Sequence, residues 1–470
     1  MSTTREFSKG VPAARPSQPI PPFTEEHSQL RESVRRFVAN ELRPHATEWE
    51  DARWFPDEVF PKLAEVGFLG LKYPEELGGE GGDHVHDAVF CEELAGCGSG
   101  GLAAGIGAHT GIATPPVWKF GTPDQHKRFL APAIRGERIA ALGITEPGAG
   151  SDVASITTKA ERVDGGYVVN GAKTFITNGA RADFVVTAVK TTQDGGHSGL
   201  SFLLLEKGME GFTVSKKLEK MGWHASDTAE LAFQDVVVPE ENLLGEENKG
   251  FYLIVANFQW ERLLMALGAV GSMQQVLEKT IAFALERNAF GRPIGRFQAL
   301  RHKLAEMALK LETGRSMTYH ALRLFHEGHD APREVTMAKL ATQRAAFEVA
   351  DDALQIHGGA GYMKEYEIER VARDLRLGPI GGGASPSRMV CTLPRRDTGE
   401  ASGASPLAGK PWIEILTFLD PRRKRSACSF RNVTRTKSCA VFVETLALLP
   451  TPTTYGSLNF VSTREPVPSA

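Results

Sequence analysis

The sequence predicts an α+β fold in three parts: an N-terminal helical domain (residues 23–139), a central β-barrel-like domain (140–246) and a C-terminal helical bundle (247–383). Two observations support this division. Apolar residues recur at helical spacing in the first and third parts, and they alternate with a period of two in the second. The two ends of the chain differ from all three parts, so residues 1–22 are predicted to be a flexible N-terminus and residues 384–470 an atypical tail.

The first predicted helix begins after Thr24 and is expected to stop before Pro44. Glu25 and Glu26 suit the positive end of its dipole. Its apolar face comprises Leu30, Val34, Phe37, Val38 and Leu42, and further helical patterns lie at Pro56–Val66, Asp87–Leu94 and Pro123–Ile134. The first part of the chain is therefore predicted to be all-helical.

Short alternating runs predict the strands of the central domain. Asp164–Gly166 and Asn170–Gly171 have the composition of tight turns between strands. The strand-like runs are Tyr167–Asn170, Lys173–Thr177, Phe184–Val189, Leu200–Leu205 and Ala229–Val238. They are expected to form one compact β domain.

Long helical patterns return after Gly250. They cover Phe251–Met273, Gln274–Asn288, Gln298–Glu327, Arg333–His357 and Glu367–Leu375, and their short loops predict an antiparallel bundle of four or five helices. From about Ala384 this periodicity is lost, Pro, Ser, Thr and Arg become frequent, and Arg422–Arg425 forms a basic cluster. We expect this tail to be disordered or to come from a frameshifted reading of the gene.

The composition indicates a globular enzyme rather than a nucleic-acid or membrane protein. The net charge is −3, and 24% of the residues are charged. Five widely spaced cysteines (Cys91, Cys97, Cys391, Cys428 and Cys439) favour neither a disulfide framework nor a zinc site. No apolar run reaches the length of a membrane span, and the first twenty residues lack the apolar segment of a signal peptide. The cytoplasm is the expected compartment, with an organellar matrix as the second choice.

Two glycine-rich motifs carry the functional signal. GITEPGAGSDVAS occupies Gly143–Ser155, and QIHGGAGY occupies Gln355–Tyr362. Supporting runs and residues are Ser226–Phe233, Val238–Gly245, Arg287–Pro293, Glu365, Arg370 and Asp374. On these residues the chain resembles the acyl-CoA dehydrogenase family over about 23–383. The resemblance implies the acyl-CoA dehydrogenase fold and FAD-dependent introduction of a trans double bond between the α and β carbons of an acyl-CoA, as in fatty acid β-oxidation.

The resemblance also implies how FAD is held. A dinucleotide-binding fingerprint is excluded, because neither Gly105–Gly111 nor Gly358–Gly361 lies between a strand and a helix with an acid about twenty residues later. Residues expected at the flavin are Leu142, Ile144, Thr145, Gly150, Ser151, Phe175 and Thr177. Those expected at the AMP portion, between subunits, are Arg287, Phe290, Gln298, Gln355, Gly358 and Gly359. A homotetramer is implied.

The catalytic base distinguishes branches of this family. Removal of a carbon-bound α-proton requires a carboxylate in a water-poor pocket. Most branches place a Glu in the loop after the second motif, where this chain has Gly382. The long-chain and isovaleryl-like branch places it on the first helix of the bundle, where Glu261 lies among apolar neighbours. We therefore predict Glu261 as the base, with Ser151, Arg262 and the Gly382 N–H contacting the substrate.

Two further segments affect the functional prediction. Family members continue this loop with Gly-Thr, then Ser or Asn, and then an acid or Gln that opens a final helix, whereas this chain reads Gly383-Ala384-Ser385-Pro386. This departure leaves a catalytically impaired or non-catalytic binding protein as the alternative. The His84–Asp87 segment is interpreted as solvated loop, without a metal site.

The expected partners are a medium- to long-chain acyl-CoA, with short branched chains second, and an electron-transferring flavoprotein. An oxidase that passes electrons to oxygen shares this scaffold, but usually in a longer chain. No nucleic acid or membrane partner is expected, because one short basic run is weak evidence for DNA binding.

Overall fold

The computed structural model describes residues 20–192 and 196–383. Predictions made for residues 1–19 and for the tail from Ala384 lie outside this part of the chain. The described chain begins with short helices: α1 (Glu25–Phe37), α2 (Ala46–Ala52), α3 (Val59–Glu65), α4 (His84–Leu94), α5 (Gly100–Gly107), α6 (Thr114–Phe120), α7 (Pro123–Gln125) and α8 (Ala131–Ile134). The first helix continues as a π-helical turn to Leu42, so its predicted end before Pro44 is confirmed. A second π-helical segment, Ala108–Ala113, follows α5.

An eight-stranded sheet forms the central domain. The strands are β1 (Ala140–Gly143), β2 (Lys159–Val163), β3 (Gly166–Thr177), β4 (Phe184–Lys190), β5 (Leu200–Glu206), β6 (Phe212–Lys217), β7 (Thr228–Pro239) and β8 (Leu243–Leu244). Their pairing order is β6-β7-β3-β2-β4-β5-β8, and β1 joins β4 in parallel. Among the described residues the first and last strands of this order do not pair with each other. A hydrophobic core shared by the sheet and the N-terminal helices includes Phe184 and Phe129, whose rings are in contact.

Two strand predictions are wrong in one respect. Tyr167–Asn170 and Lys173–Thr177 belong to the single strand β3, which pairs with β7 along its length. Asn170–Gly171 is therefore no turn. The register shifts there, and the Asn170 Nδ2–H donates to Asp235 Oδ1 at 2.9 Å across the irregularity. An extra residue in one strand accounts for turn-like composition inside a strand. The short strands β1, β2 and β6 were not predicted.

Four helices complete the described chain: α9 (Gly250–Glu286), α10 (Gln298–His326), α11 (Pro332–His357) and α12 (Ile368–Leu375). A small hairpin, β9 (Asn288–Ala289) with β10 (Arg292–Pro293), lies between α9 and α10. The predicted helical, sheet and helical-bundle architecture is thus confirmed.

The prediction of two helices over Phe251–Asn288 is wrong, because α9 runs unbroken for 37 residues. Gly271 serves close packing rather than a break. A Cβ at that position would lie 2.2 Å from the Glu92 carbonyl oxygen of α4. By length and composition α9 could cross a membrane, but 56% of its most apolar window is buried inside the protein, as in the core helix of a globular domain.

A buried arginine ties the N-terminal helices to the sheet. The Arg181 Nε–H donates to Asp227 Oδ1 at 2.9 Å, and its Nη1–H donates to Asp57 Oδ1 at 2.8 Å. The guanidinium also lies 3.8 Å from the ring centroid of Trp54. Asp227 accepts the Ala180 N–H at 2.7 Å as well, so it holds the turn that follows Thr177.

Candidate active site

A cavity of about 250 Å³ lies between the N-terminal helices and the helical bundle. Residues of α4, α5 and the following π-helical segment form one wall, and α9 forms the opposite wall. The end of α12 and Gly378 close a third side. Thr177 of β3 and Trp223 reach the cavity from the central part of the chain, so all three parts of the fold contribute to it.

The shape of the cavity follows from one face of α9. Its lining residues recur every three or four positions: Glu261, Leu264, Gly268, Ser272, Gln275 and Lys279. The opposite wall consists largely of glycine and alanine, including Gly100, Ala103, Ala104, Gly107, Ala108 and Gly111. A Cβ at Gly111 would lie 2.3 Å from Leu264 Cδ1, so side chains on this wall would fill the space. The result is a channel that follows α9.

Glu261 lies at one end of this channel and is 8% exposed. The Asn257 Nδ2–H donates to its Oε1 at 2.5 Å and also to the Ile112 carbonyl at 3.1 Å. Trp260 and Leu263 on either side of this position are buried in the apolar core. The Arg262 Nη1 lies 3.4 Å from the Thr336 Oγ1. The burial of Glu261 therefore agrees with the expectation from the sequence that this carboxylate lies among apolar residues.

The turn that contains Gly382 lies beside Met265, which follows Glu261 by one turn of α9. A Cβ at Gly381 would approach Met265 Cε to 3.6 Å. The buried Lys339 ammonium donates to the carbonyls of Gly381 and Gly383 at 3.0 and 3.2 Å. Gly382 has a φ of +56°, a conformation that glycine adopts without steric cost. The two carbonyls are thus held by Lys339, and the intervening backbone is fixed near the proposed base.

The segment Leu142–Ser151 crosses the sheet side of the site. Leu142 and Ile144 border a small void that Glu261 also borders. The Thr145 carbonyl accepts the Thr174 N–H at 2.9 Å, whereas Gly150 and Ser151 are exposed. Sequence reasoning missed what anchors this segment: the buried Lys173 ammonium donates to Glu146 Oε1 at 2.7 Å and to the Ile144 carbonyl at 3.1 Å.

Glu146 is a buried carboxylate that stays charged. Burial alone would raise its pKa, but the Lys173 ammonium and the hydrogen bonds from Thr158 and Thr157 outweigh that effect and hold the pKa at about 2. A pair of opposite charges inside a sheet is stable only with such additional hydrogen bonds. The alternation of β3 could have indicated that Lys173 points inward, but nothing in the sequence identified its partner.

Phe175 has a strained backbone and an exposed ring. Its φ is +61°, which is unusual for an aromatic residue, and its side chain is 68% exposed. Thr177, two residues further on, lines the channel. Strain of this kind persists where the surrounding structure imposes it and is concentrated at ligand sites.

The remaining predicted cofactor residues lie at the other end of α9. Arg287 follows Glu261 by 26 residues, which corresponds to roughly 39 Å along a helix at about 1.5 Å per residue. The Phe283 ring stacks on His357 at 4.2 Å and brings the ends of α9 and α11 together. The six residues of this group are all exposed to solvent: Arg287, Phe290 (95% exposed), Gln298, Gln355, Gly358 and Gly359. Within one chain the structure therefore separates them from the residues near Glu261.

Asp374 is a buried acid of the channel whose environment sequence reasoning missed. Its Oδ1 accepts the Trp223 N–H at 2.6 Å, and its Oδ2 accepts the Gly100 N–H at 2.9 Å. Burial, together with the nearby Glu50 carboxylate, raises the pKa of Asp374 to about 7 despite these two bonds. The side chain thus joins α12 to the walls of the channel and titrates near neutrality.

We expect this acid to make stability depend on pH. Because its folded-state pKa of about 7 lies above the usual 3.8, the folded protein binds the extra proton between these values, and stability falls as the pH rises through them. An Asp374→Asn variant lacks this titration. Relative to wild type, its free energy of unfolding should therefore rise from pH 4.5 to pH 7.5, by at most about 1.4 kcal/mol per pH unit. Urea denaturation across this range measures the difference, and parallel profiles would contradict the assignment.

The interpretation of His84–Asp87 as solvated loop is wrong. These residues open α4, whose N-cap is Asp83. His84 meets the Trp260 ring edge to face, with the ring centroids 4.7 Å apart, and Asp87 pairs with Lys72 in the interior. His27, Asp83 and His86 do place one potential ligand atom each within 4.8 Å of one another. The His86 Nδ1–Asp83 Oδ1 contact of 2.9 Å belongs to the helix cap.

Three family models match the chain in the order of its three parts. The N-terminal acyl-CoA dehydrogenase domain matches residues 24–137, the middle domain matches 141–236, and the C-terminal domain matches 248–389.

Individual proteins agree with these matches. The chain is 37% identical over 370 residues to the mitochondrial isovaleryl-CoA dehydrogenase of Arabidopsis thaliana, covering 78% of this chain and 90% of the relative. It is 39% identical over 365 residues to the mitochondrial long-chain specific acyl-CoA dehydrogenase of Mus musculus, covering 77% and 84%. The crystal structure of an acyl-CoA dehydrogenase from Geobacillus kaustophilus superposes with a TM-score of 0.77 at 40% identity, over 80% of this chain and 98% of that one. The chain therefore belongs to the acyl-CoA dehydrogenase family, whose members are FAD-dependent dehydrogenases of acyl-CoA thioesters.

Proposed function

We propose that the protein uses FAD to convert a straight medium- to long-chain acyl-CoA into the trans-2-enoyl-CoA, with Glu261 removing the α-proton. The observation that carries this proposal is the position of Glu261 at one end of an otherwise largely apolar channel. Electrons would pass onward to an electron-transferring flavoprotein.

The setting of Glu261 suits a base that acts on a weakly acidic carbon. The carboxylate is buried, and one hydrogen bond from the Asn257 amide fixes its orientation. Exclusion of water strengthens its interaction with a bound thioester. The Gly382 N–H and the Arg262 side chain are the proposed contacts for the thioester and CoA portions. A backbone donor at the carbonyl would stabilise the enolate charge that develops as the proton leaves.

The residues near this end also fit a flat aromatic cofactor. Phe175 presents an exposed ring on a strained backbone, and Thr177, two residues further on, lines the channel. The Leu142–Ser151 segment offers backbone groups, anchored by Lys173. Bound FAD supplies the N5 acceptor for the hydride that leaves the β carbon. We propose Leu142, Ile144, Thr145, Gly150, Ser151, Phe175 and Thr177 as its flavin contacts.

The AMP portion requires a second chain in this proposal. The far end of α9, roughly 39 Å from Glu261 along the helix, carries Arg287, Phe290, Gln298, Gln355, Gly358 and Gly359, and we propose that they contact the FAD of a neighbouring chain. An oligomer, which we propose to be a homotetramer, would bring these six residues of one chain to the flavin of another chain. The exposed Phe290 ring is consistent with an interface position.

The length of the channel favours straight chains over short branched ones. Lys279 follows Glu261 by 18 residues, so the lined face of α9 spans roughly 27 Å at about 1.5 Å per residue. This span accommodates an extended palmitoyl chain. Each buried methylene contributes about 0.8 kcal/mol, so longer chains should bind more tightly until the channel is filled.

The test is the visible spectrum of the purified protein during anaerobic addition of palmitoyl-, octanoyl- and isovaleryl-CoA. We expect a yellow flavin band that palmitoyl-CoA bleaches at the lowest concentration, octanoyl-CoA at a higher one and isovaleryl-CoA least effectively. Free CoA serves as the control and should leave the band unchanged. Preferential bleaching by isovaleryl-CoA would contradict the chain-length proposal, and a colourless protein that takes up no added FAD would contradict the function itself.

A further inference from the structure

The end of the channel opposite Glu261 is positively charged. Lys279 of α9 and Arg43 both line it. The Lys279 Nζ lies 2.6 Å from Glu367 Oε2, and the Arg43 Nη2 lies 3.0 Å from the same oxygen. The Arg370 Nη2 lies 3.5 Å from the other carboxylate oxygen of Glu367, Oε1. Three cationic side chains therefore share one carboxylate, a group that we call the distal cation cluster.

The distal cation cluster carries more positive charge than its own acids balance. Within the described residues, Arg43, Lys279 and Arg370 each form ion pairs with Glu367 alone. Arg370 is 4% exposed, and its Nε is buried without a hydrogen-bond partner. An uncompensated buried charge is costly, and a buried donor without a partner adds to that cost. A second anion would therefore balance the charge of this cluster.

The Lys279 environment agrees with this charge imbalance. Burial lowers the pKa of its ammonium, Glu367 opposes that effect, and the neighbouring Arg43 and Arg370 lower the pKa further. Glu367 itself has a left-handed φ of +57° at the start of α12. A non-glycine residue is held there only when its contacts require it. An arriving anion would relieve the repulsion among the three cations.

The walls between the two ends are suited to an alkyl chain. The intervening lining includes Leu94, Leu264, Met265, Ala269, Val276 and Leu375. Amide and phosphate groups of CoA would lose hydrogen bonds to water along such walls, whereas methylene groups gain from burial. The acyl chain, rather than CoA, is therefore the part that fits between Glu261 and the distal cation cluster.

We propose that the distal cation cluster binds the ω-carboxylate of a long-chain dicarboxylic acyl-CoA, such as hexadecanedioyl-CoA. This inference rests on the proposed function, because it takes Glu261 as the position of the thioester end. A terminal carboxylate would receive charge-assisted hydrogen bonds from Lys279 and Arg43. A terminal methyl group leaves the same cations without a second anion, so the two classes of substrate are distinguished at this end.

The test compares hexadecanedioyl-CoA with palmitoyl-CoA in the full-length, FAD-loaded protein and in a Lys279→Met variant. We expect the ratio of kcat/KM for the diacid over the monoacid to fall by about tenfold or more in Lys279→Met, the scale of one charge-assisted hydrogen bond. Lys279→Arg should keep most of the ratio. Lys310→Met, which removes a lysine paired with Glu348 on the bundle surface, is the matched control and should leave the ratio as in wild type.

Binding measured by calorimetry separates this inference from the proposed function. If the protein does not dehydrogenate acyl-CoA, neither substrate bleaches the flavin, but the calorimetric affinity ratio should still fall in Lys279→Met. An unchanged ratio in a protein that oxidises palmitoyl-CoA would overturn the ω-carboxylate site alone. Equal weakening of both substrates would also overturn it, because it would assign the cations to the CoA phosphates. Should Lys279→Met fail to fold, Arg43→Met is measured in its place with the same criteria.

Discussion

Replacing Glu261 with Gln is expected to abolish most turnover while leaving FAD content and acyl-CoA binding in place. General-base catalysis contributes roughly a hundredfold to ten-thousandfold, and a glutamine cannot accept the α-proton. The substitution preserves the size of the side chain, and a glutamine Oε1 can still accept the bond that Asn257 donates at 2.5 Å. Steady-state kcat with palmitoyl-CoA, the flavin absorbance per chain and the Kd for the substrate are the three measurements.

The matched control for this experiment is Glu278→Gln on the same helix. Glu278 is exposed and pairs with Gln274, so its replacement should leave kcat as in wild type. Near-normal turnover in Glu261→Gln would show that another group removes the proton. A loss of turnover that merely follows a loss of FAD would show that Glu261 has a structural role.

Replacing Asp227 with Ala is expected to produce the largest loss of stability. Arg181 is completely buried, and Asp227 is its one fully buried acidic partner among the described residues. Removal of one member of such a pair leaves an uncompensated charge and costs about 3–5 kcal/mol. The turn that follows Thr177 would also lose the bond from the Ala180 N–H. The midpoint of urea denaturation reports the change.

A double-mutant cycle makes this prediction specific. Arg181→Met combined with Asp227→Ala removes both charges, so the double variant should be less destabilised than the sum of the two single variants. The exposed pair Arg135–Glu137 provides the control, because Glu137→Ala at the surface should change stability little. A strictly additive cycle would mean that the two side chains do not stabilise each other.

Much of the architecture could be predicted because periodicity is a local property. The long helices of the bundle, α4 and the main strands follow from spacing, whereas α5, which also lines the cavity, was not predicted. The apolar neighbours of Glu261 indicated a buried carboxylate before its position was known. The errors share one physical cause. The Asn170–Gly171 pair has the composition of a turn, and Gly271 belongs to a residue type that weakens an isolated helix. Contacts with Asp235 and Glu92, far away in sequence, nevertheless accompany an uninterrupted strand and helix.

The polar partners in the site could not be predicted for the same reason. Lys173 and Glu146 are 27 residues apart, and Arg43 and Glu367 are 324 apart. No spacing rule connects such pairs, because the fold alone brings them together. The glycine and alanine wall opposite α9 was likewise unrecognised, since small residues acquire meaning only when the facing element is known. The catalytic and cofactor roles of the residues named above remain predictions.

One consequence of the unbroken α9 concerns how substrate preference can change during evolution. The proposed base and the positions that bound the channel at Ser272, Gln275 and Lys279 belong to one continuous helix. A substitution several turns away can shorten, widen or recharge the channel without altering the backbone that carries Glu261. Chemistry and selectivity can then be varied separately, so a lineage, or a designer, could explore new acyl groups while the reaction itself is preserved.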